Sequence, residues 1–444
     1  MRIVYSLLWW LALPLVLARL WLRGRKEPGY RQHWGERLGL YGRAAWSTPA
    51  TPVLWVHAVS VGETRAAEPL VDALLAAYPH SRVVLTHMTP TGRETGRTLF
   101  AKHGARLVQS FLPYDTGLMV SRFIAHFQPS VCILMETEVW PNLIATCGRR
   151  GVPVMLANAR LSQRSLGKAQ RLGALIREAA HGVTLVAAQT EADAARVRTL
   201  GAPRVEVTGS IKFDVVVPPA ALATGAALRQ AIDAGGSTIG TRPVLLCAST
   251  REGEETLILD AYRQARASLP AGTLLLLVPR HPQRFAEVEQ LVAAAGLTVQ
   301  RRSTLALGDA QPAAPAASVD AATDVLLGDS MGEMFAYYAA CDVAFVGGSL
   351  LPLGGQNLIE PAALGKPVMI GPHTFNFELV TEDAIAGGGA LRVADAGALM
   401  TQAARLLGDD AARAAMGASA MAFANQHRGA TARTLALLPS LLQR

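Results

Sequence analysis

Residues 52–88 read PVLWVHAVSVGETRAAEPLVDALLAAYPHSRVVLTHM, and this pattern decides the fold. Val53 to Ala58 is a short apolar, β-branched run that breaks at Gly62. Glu63 opens the next helix, Arg65 to Tyr78 is amphipathic, and RVVLTHM brings a second apolar run. Strand, crossover helix and strand in that order make a parallel pair. The unit recurs through RLVQSF, SVCILME, VPVMLANA, GVTLVAAQ and RVEVTGS. A Pro- and Ala-rich passage from about Val217 to Gly240 interrupts it. The alternation then restarts with RPVLLCAST, GTLLLLVPR, GLTVQRR, TDVLLGDS, CDVAFVGG, KPVMIGP and ALRVAD. The expected fold is α/β, with two Rossmann-like domains facing across a cleft and ligands bound beyond the carboxyl ends of the strands.

Composition agrees with two cores. The 444 residues are about three times the usual ~150-residue domain. Half are hydrophobic and 17% charged, which excludes a disordered or solvating chain. The expected divisions are an anchor over 1–24, a first domain over 25–216, a linker over 217–240 and a second domain over 241–444. The helical pattern at the end of the chain can pack back on the first domain. Ala306 to Ala322, rich in Ala and Pro, reads as a surface loop. Lys and Arg number 42 against 34 Asp and Glu, a formal +8 that favours anionic partners. Cys132, Cys147, Cys247 and Cys341 show no CxxC spacing and mostly lie in apolar runs, as core thiols do.

Residues 3–22, IVYSLLWWLALPLVLARLWL, carry one charge, Arg19, and are long enough to span a ~30 Å hydrocarbon layer. Arg23, Arg25, Lys26, Arg31 and Arg37 follow, so the positive-inside rule leaves the remainder in the cytoplasm. The run continues into RLWLRGRK without a small-residue cleavage site, which favours an anchor, spanning or monotopic, over a cleaved signal.

The informative residues fall in strand-to-helix turns. In HAVSVGET, Glu63 is either an ordinary first-turn glutamate or a base at the cleft. The helix dipole lowers a carboxyl pKa, so burial or a neighbouring carboxylate has to raise it for the second role. METEVWPNL places Glu136 and Glu138 two residues apart, pointing oppositely if the chain is extended, with Pro141 suited to the first helical position. ANARLSQRSLGKAQR offers Arg160 and Arg164 to an anionic headgroup, although a solvated basic helix face is the commoner meaning. CASTREGEE pairs Ser249 with Glu252 at capping-box spacing. VPRHP sets Arg280 and His281 just past an apolar strand, where a guanidinium can fork onto a phosphate or carboxylate. GDSMGEM and GGSLLPLGGQNLIEP are further turns. Glycine-rich backbone before Asn357 offers an anion site, and Asn357 with Glu360 also fits a capping box. Walker A, GxGxxG, HExxH and GxSxG fail to appear at suitable places, which removes support for the usual NTPase, dehydrogenase, zinc protease and serine hydrolase readings.

Taken in order, RGRKEPGYRQHWGERLG, HAVSVGET, MTPTGRE, METEVWPNLI, ANARLS, TGSIKFD, VPRHP, GDSMGEM, FVGGSL, GGQNLIEPAA and GPHTFNF resemble the 3-deoxy-D-manno-octulosonic acid (Kdo) transferases of Gram-negative bacteria over residues 23–377. The resemblance implies the two-Rossmann-domain B-type glycosyltransferase fold and inverting transfer of Kdo from CMP-Kdo to a tetraacylated lipid A precursor, in lipopolysaccharide synthesis at the cytoplasmic face of the inner membrane. It implies no catalytic metal, no cofactor beyond the donor substrate and no nucleic acid partner. By position it makes Glu63 the base and Glu136 a second acidic residue. It assigns CMP-Kdo binding to Arg280, His281, Met331, Gly332, Glu333, Asn357, Leu358, Ile359 and Glu360. Gln356 departs from the pattern, standing where GGHN is expected. The competing functions are a B-type glycosyltransferase using a UDP-sugar and a lipid-linked acceptor, and an inactive membrane-tethered binding protein.

Overall fold

The computed structural model describes residues 1–42, 52–235, 241–307 and 318–442. The chain divides into two units, one of Met1–Asp214 with His427–Arg444 and one of Val215–Gln426.

The first unit is built on seven strands: β1 Val53–His57, β2 Arg82–His87, β3 Leu107–Phe111, β4 Val131–Met135, β5 Val154–Ala159, β6 Leu185–Ala188 and β7 Val205–Val207. Their order is β3-β2-β1-β4-β5-β6-β7, and every pairing is parallel. Alternation along β1 feeds two cores. Leu54 and Val56 pack with Ala67, Leu70 and Leu74 of the helix Val61–Ala77, whereas Val53 and Trp55 pack with Phe123 and Leu143 on the opposite face. This two-sided burial is why the strand reads as a continuous apolar run.

The second unit repeats the plan with β8 Val244–Thr250, β9 Leu274–Pro279, β10 Val299–Arg301, β11 Val325–Leu327, β12 Val343–Val346, β13 Val368–Ile370 and β14 Ala390–Arg392. The order is β10-β11-β9-β8-β12-β13-β14, again wholly parallel. All fourteen strands fall on the apolar runs read from the sequence. The four cysteines are buried and free.

The linker differs from expectation, and the end of the chain packs as its helical pattern allowed. Most of the expected linker, 217–240, is the helix Pro219–Gly235, whose Leu228 and Ile232 lie in the second unit's core beside Tyr337 and Leu246. Alanine is the strongest helix former, so Ala-rich composition did not mark a flexible joint. Residues 236–240 of that passage, and 308–317 of the expected surface loop, lie outside the described residues. The chain also leaves the second unit at His427. Ala430, Leu438 and Leu441 complete the first unit's core, and the Asp214 carboxylate accepts from the backbone N–H groups of Gly429, at 2.6 Å, and Thr431.

The apolar amino-terminal run forms one helix, Arg2–Arg23, long and apolar enough to cross a membrane. One side of its first turns is fastened to the first unit. Arg2 pairs with Glu178 at 2.8 Å, the Tyr5 hydroxyl donates to Asp115 at 2.9 Å, and Ser6 donates to Asn142 at 3.1 Å. Trp9 lies against Tyr114. The other side leaves Ile3, Leu7, Leu11 and Leu15 exposed. Just beyond, Arg25 and Arg31 both stack on Trp21, and Arg23 lies over Tyr30.

Candidate active site

In the first unit the chemistry gathers at the carboxyl ends of β1 and β4. Glu63 lies in the first turn of the helix Val61–Ala77, where its carboxylate reaches back to accept from the Val59 N–H at 2.8 Å and the Ser60 hydroxyl at 3.4 Å. Those bonds favour the ionised form. Burial opposes them and wins, and the charges of Glu138 and Glu136 push further in the same direction, so the Glu63 pKa rises to about 7. A carboxyl group poised there is a competent base near neutral pH.

Glu136 and Glu138 both act on Glu63. Glu136 takes a left-handed backbone, φ 58°, which ends the extended chain and lets both residues act on Glu63. Burial and the Glu136 charge raise the Glu138 pKa as well. Glu136 itself is paired with Lys212 at 2.7 Å. Lys212 sits in a single 3-10 turn, Ile211–Phe213, which Asn158 holds by accepting from the Ile211 N–H at 3.0 Å. Asn158 is fully buried at the end of β5 and also has a positive φ, 54°. Glu136 and Asn158 are two of the five non-glycine residues with positive φ among the described residues, and both lie at ends of adjacent strands. Pro141 opens its helix as expected. Arg160 is half-buried just past β5, and Arg164 is exposed on the helix Gln163–Arg171.

The second unit gathers cations at the ends of β8 and β9. The Arg280 N–H continues the ladder by donating to the Thr250 carbonyl at 2.9 Å, so the residues following both strands are neighbours. Burial, then Arg251, Arg280 and Arg284, holds the His281 pKa below its ordinary value. Arg284 is committed to Glu255 at 2.7 Å and Glu287 at 2.9 Å. In the turn after β11, Met331 is exposed, Gly332 has φ 84°, and Glu333 pairs with Arg302 at 2.9 Å. Asn357, just ahead of the N-cap residue Leu358 of the short helix Ile359–Ala363, accepts from the Ile359 N–H at 3.0 Å, and its amide donates to Glu360 at 3.1 Å. Leu358 and Ile359 are buried, so their side chains serve packing.

One sequence expectation fails here and another is narrowed. Ser249 and Glu252 form no capping box, because the helix starts at Glu254, and it is the Glu254 side chain that reaches back to the Arg251 N–H. The glycine-rich stretch is only partly open to an anion, because its first turn, directly after β12, is already occupied. Glu254 fills it, accepting from the N–H groups of Gly348, Ser349 and Leu350 at 2.6, 2.9 and 2.9 Å. Gly347 is required because a Cβ there would stand 2.7 Å from the Thr250 Cα. Lys212, Arg251 and Glu254 went unassigned in the sequence. Their blocks, TGSIKFD and CASTREGEE, were visible, but only the folded chain shows which charges meet.

Comparison with known proteins decides the relationship. A family model described as 3-deoxy-D-manno-octulosonic-acid transferase matches residues 32–215. The 3-deoxy-D-manno-octulosonic acid transferase of Bordetella pertussis is 47% identical over 97% of this chain and 96% of its own. The chain belongs to the 3-deoxy-D-manno-octulosonic acid transferase family. The enzyme of that name from Haemophilus influenzae is 39% identical over 100% of this chain and 99% of its own. The chain is therefore a glycosyltransferase. Among solved structures, the UDP-GlcNAc 2-epimerase of Neisseria meningitidis covers 88% of this chain and all of its own at TM-score 0.56, with 14% identity, a likeness of fold alone.

Proposed function

We propose that this enzyme transfers Kdo from CMP-Kdo to a hydroxyl of the tetraacylated lipid A precursor, lipid IVA, with inversion at the anomeric carbon. The observation that carries the reading is the buried Glu63 carboxyl, held at a pKa of about 7 among Glu136 and Glu138. Ionised Glu63 takes the proton of the acceptor hydroxyl as its oxygen forms the new bond to the anomeric carbon. The bond from that carbon to the phosphate oxygen breaks, and CMP leaves. Lys212 holds Glu136 beside the base. On the donor side, Arg280 and its neighbouring cations answer the charge that grows on the leaving phosphate, the term that usually contributes most to such catalysis. His281, Met331 to Glu333 and Asn357 to Glu360 complete the proposed donor contacts. Arg160 and Arg164 remain the proposed acceptor contacts. No step in this scheme calls on a metal or a further cofactor.

The test is mass spectrometry of products formed by the purified protein from CMP-Kdo and lipid IVA. A mass increase of one or more Kdo residues is the expected outcome. Turnover with a UDP-sugar instead would move the enzyme to the competing donor class, and no turnover with either would leave the inactive binding protein.

We further infer that the helix Arg2–Arg23 lies in the cytoplasmic leaflet of the inner membrane with its Ile3, Leu7, Leu11 and Leu15 face toward lipid. Its amino-terminal residues are tied to the same unit as its carboxyl end, which favours a monotopic arrangement over a spanning one. The Arg23, Arg25 and Arg31 cluster suits anionic headgroups, each charge contributing ~1 kcal/mol at such a surface. Deleting residues 1–22 is expected to release the protein only partly from anionic liposomes at low salt and fully at high salt. Residual binding indifferent to salt would remove the electrostatic part.

A further inference from the structure

In a doubly wound sheet the usual place for a ligand's phosphate is the crevice where the strand order reverses, lined by backbone N–H groups. In the second unit that crevice lies beyond β8, flanked by β9 and β12. It is occupied by the protein itself. Glu254 is completely buried, and its two oxygens accept from four backbone N–H groups: Arg251 at 2.9 Å on the β8 side, and Gly348, Ser349 and Leu350 on the β12 side.

The cross-link fixes what hangs from the two turns. Gly348, with φ 67°, accepts from the Gly355 N–H at 2.6 Å, which closes the loop that leads to Gln356 and Asn357. Ser349 accepts at its hydroxyl from the Gly371 N–H at 2.9 Å and so ties in the turn after β13. On the other side, Arg251 emerges half-buried with its side chain beside Gly348, and its charge reaches His281 together with that of Arg280. Among the described residues no carboxylate pairs with the Arg251 side chain, whereas Arg284, which also acts on His281, is doubly paired. A cation left without a counter-ion beside two other basic groups is an arrangement that an anion completes.

We propose that Glu254 is a positioning residue for the sugar-nucleotide donor: it takes the place of a bound phosphate in the strand-end crevice, locks the turns after β8 and β12, and leaves the Arg251 guanidinium to bind the donor's anionic group. This rests on the donor reading above. A second anion cannot enter the crevice, because its N–H groups are taken and a carboxylate already sits there. The donor's phosphate or carboxylate is therefore met by side-chain cations, Arg251 and Arg280, rather than by glycine backbone.

The experiment compares E254Q, E254D, R251A and R251K with the wild-type enzyme in melting temperature, CMP affinity by calorimetry, and KM for each substrate. In E254Q an amide NH2 is forced against backbone donors. The donor KM and the CMP Kd are expected to rise about tenfold or more, with the acceptor KM within about twofold. E254D, which keeps the charge on a shorter stem, recovers part of that loss. R251A, a change at a half-exposed side chain, raises donor KM by about tenfold, and R251K recovers part because it restores charge without the planar fork. A lower melting temperature in E254Q with unchanged donor KM and CMP Kd would overturn the positioning role. R251A with unchanged donor parameters would overturn the anion contact, and stands even if E254Q does not fold. Wild-type failure to use CMP-Kdo would sink the donor assignment instead, and the CMP calorimetry separates that failure from this one.

Discussion

Glu63 and Glu254 occupy the same place in two copies of one architecture. Each follows the strand at which its sheet's order reverses, β1 between β2 and β4 or β8 between β9 and β12, and each lies in the first turn of the next helix. Their surroundings differ. Glu254 has four backbone donors and no remaining capacity for chemistry. Glu63 has one backbone donor, a long hydroxyl contact and two carboxylates close enough to raise its pKa. A carboxylate at a helix start is a structural plug or a base according to how many N–H groups the neighbouring strand end turns toward it.

The largest expected break in this comparison is Glu63→Gln, which keeps shape and removes the base. Turnover should drop by ~10²- to 10⁴-fold with CMP affinity unchanged, in contrast to E254Q, where affinity moves. Near wild-type turnover in steady-state assays would return Glu63 to the class of ordinary first-turn glutamates. Next in size is Arg280→Ala, which should raise the donor KM by roughly ten- to a hundredfold through the loss of a charge-assisted hydrogen bond. Lysine at this position should recover part of it. A rise confined to the acceptor KM would place Arg280 on the wrong side of the reaction.

A finer test uses pH. A base with its pKa raised to about 7 is protonated below that value, so kcat/KM of the wild type should fall about tenfold per unit as pH drops below 7. Glu138→Gln removes a negative charge that resists ionisation of Glu63, so the acid limb should move to lower pH by a few tenths of a unit to about one unit. Lys212→Met unmasks the Glu136 charge and should move the limb the other way. Two shifts of the same sign would mean that these neighbours act through structure rather than charge.

The sequence made the strands plain for a physical reason. A strand buried on both faces must be apolar throughout, as in VLWVH and LLLLVP, and such runs stand out against amphipathic helices. Unit boundaries were less plain, since Pro219–Gly235 is rich in the residues that also make linkers, and the return of Ala430, Leu438 and Leu441 depends on contacts over two hundred residues apart. At the candidate site, the sequence singled out Arg280 because charge at the end of an apolar strand is seldom there for packing, and it left Glu63 open between a first-turn glutamate and a base. Lys212 and Glu138 were not so marked. Their roles depend on one left-handed residue, Glu136, and one buried asparagine, Asn158, whose backbone angles no periodicity reports. Glu254 was obscured by its own neighbourhood, where consecutive glutamates look like any acidic helix start.

The segment that crosses back at His427 sets an order of assembly during synthesis. The ribosome releases β1 through β7 first, yet the back of the helix Val61–Ala77 lacks its cover until Ala430, Leu438 and Leu441 have been made. The second unit, continuous from Val215 to Gln426, has all its strands before then. The half of the molecule translated first is thus the half finished last. The turn carrying Glu63 stands at the head of that helix, so the candidate site in the first unit rests on packing that the last residues of the chain complete.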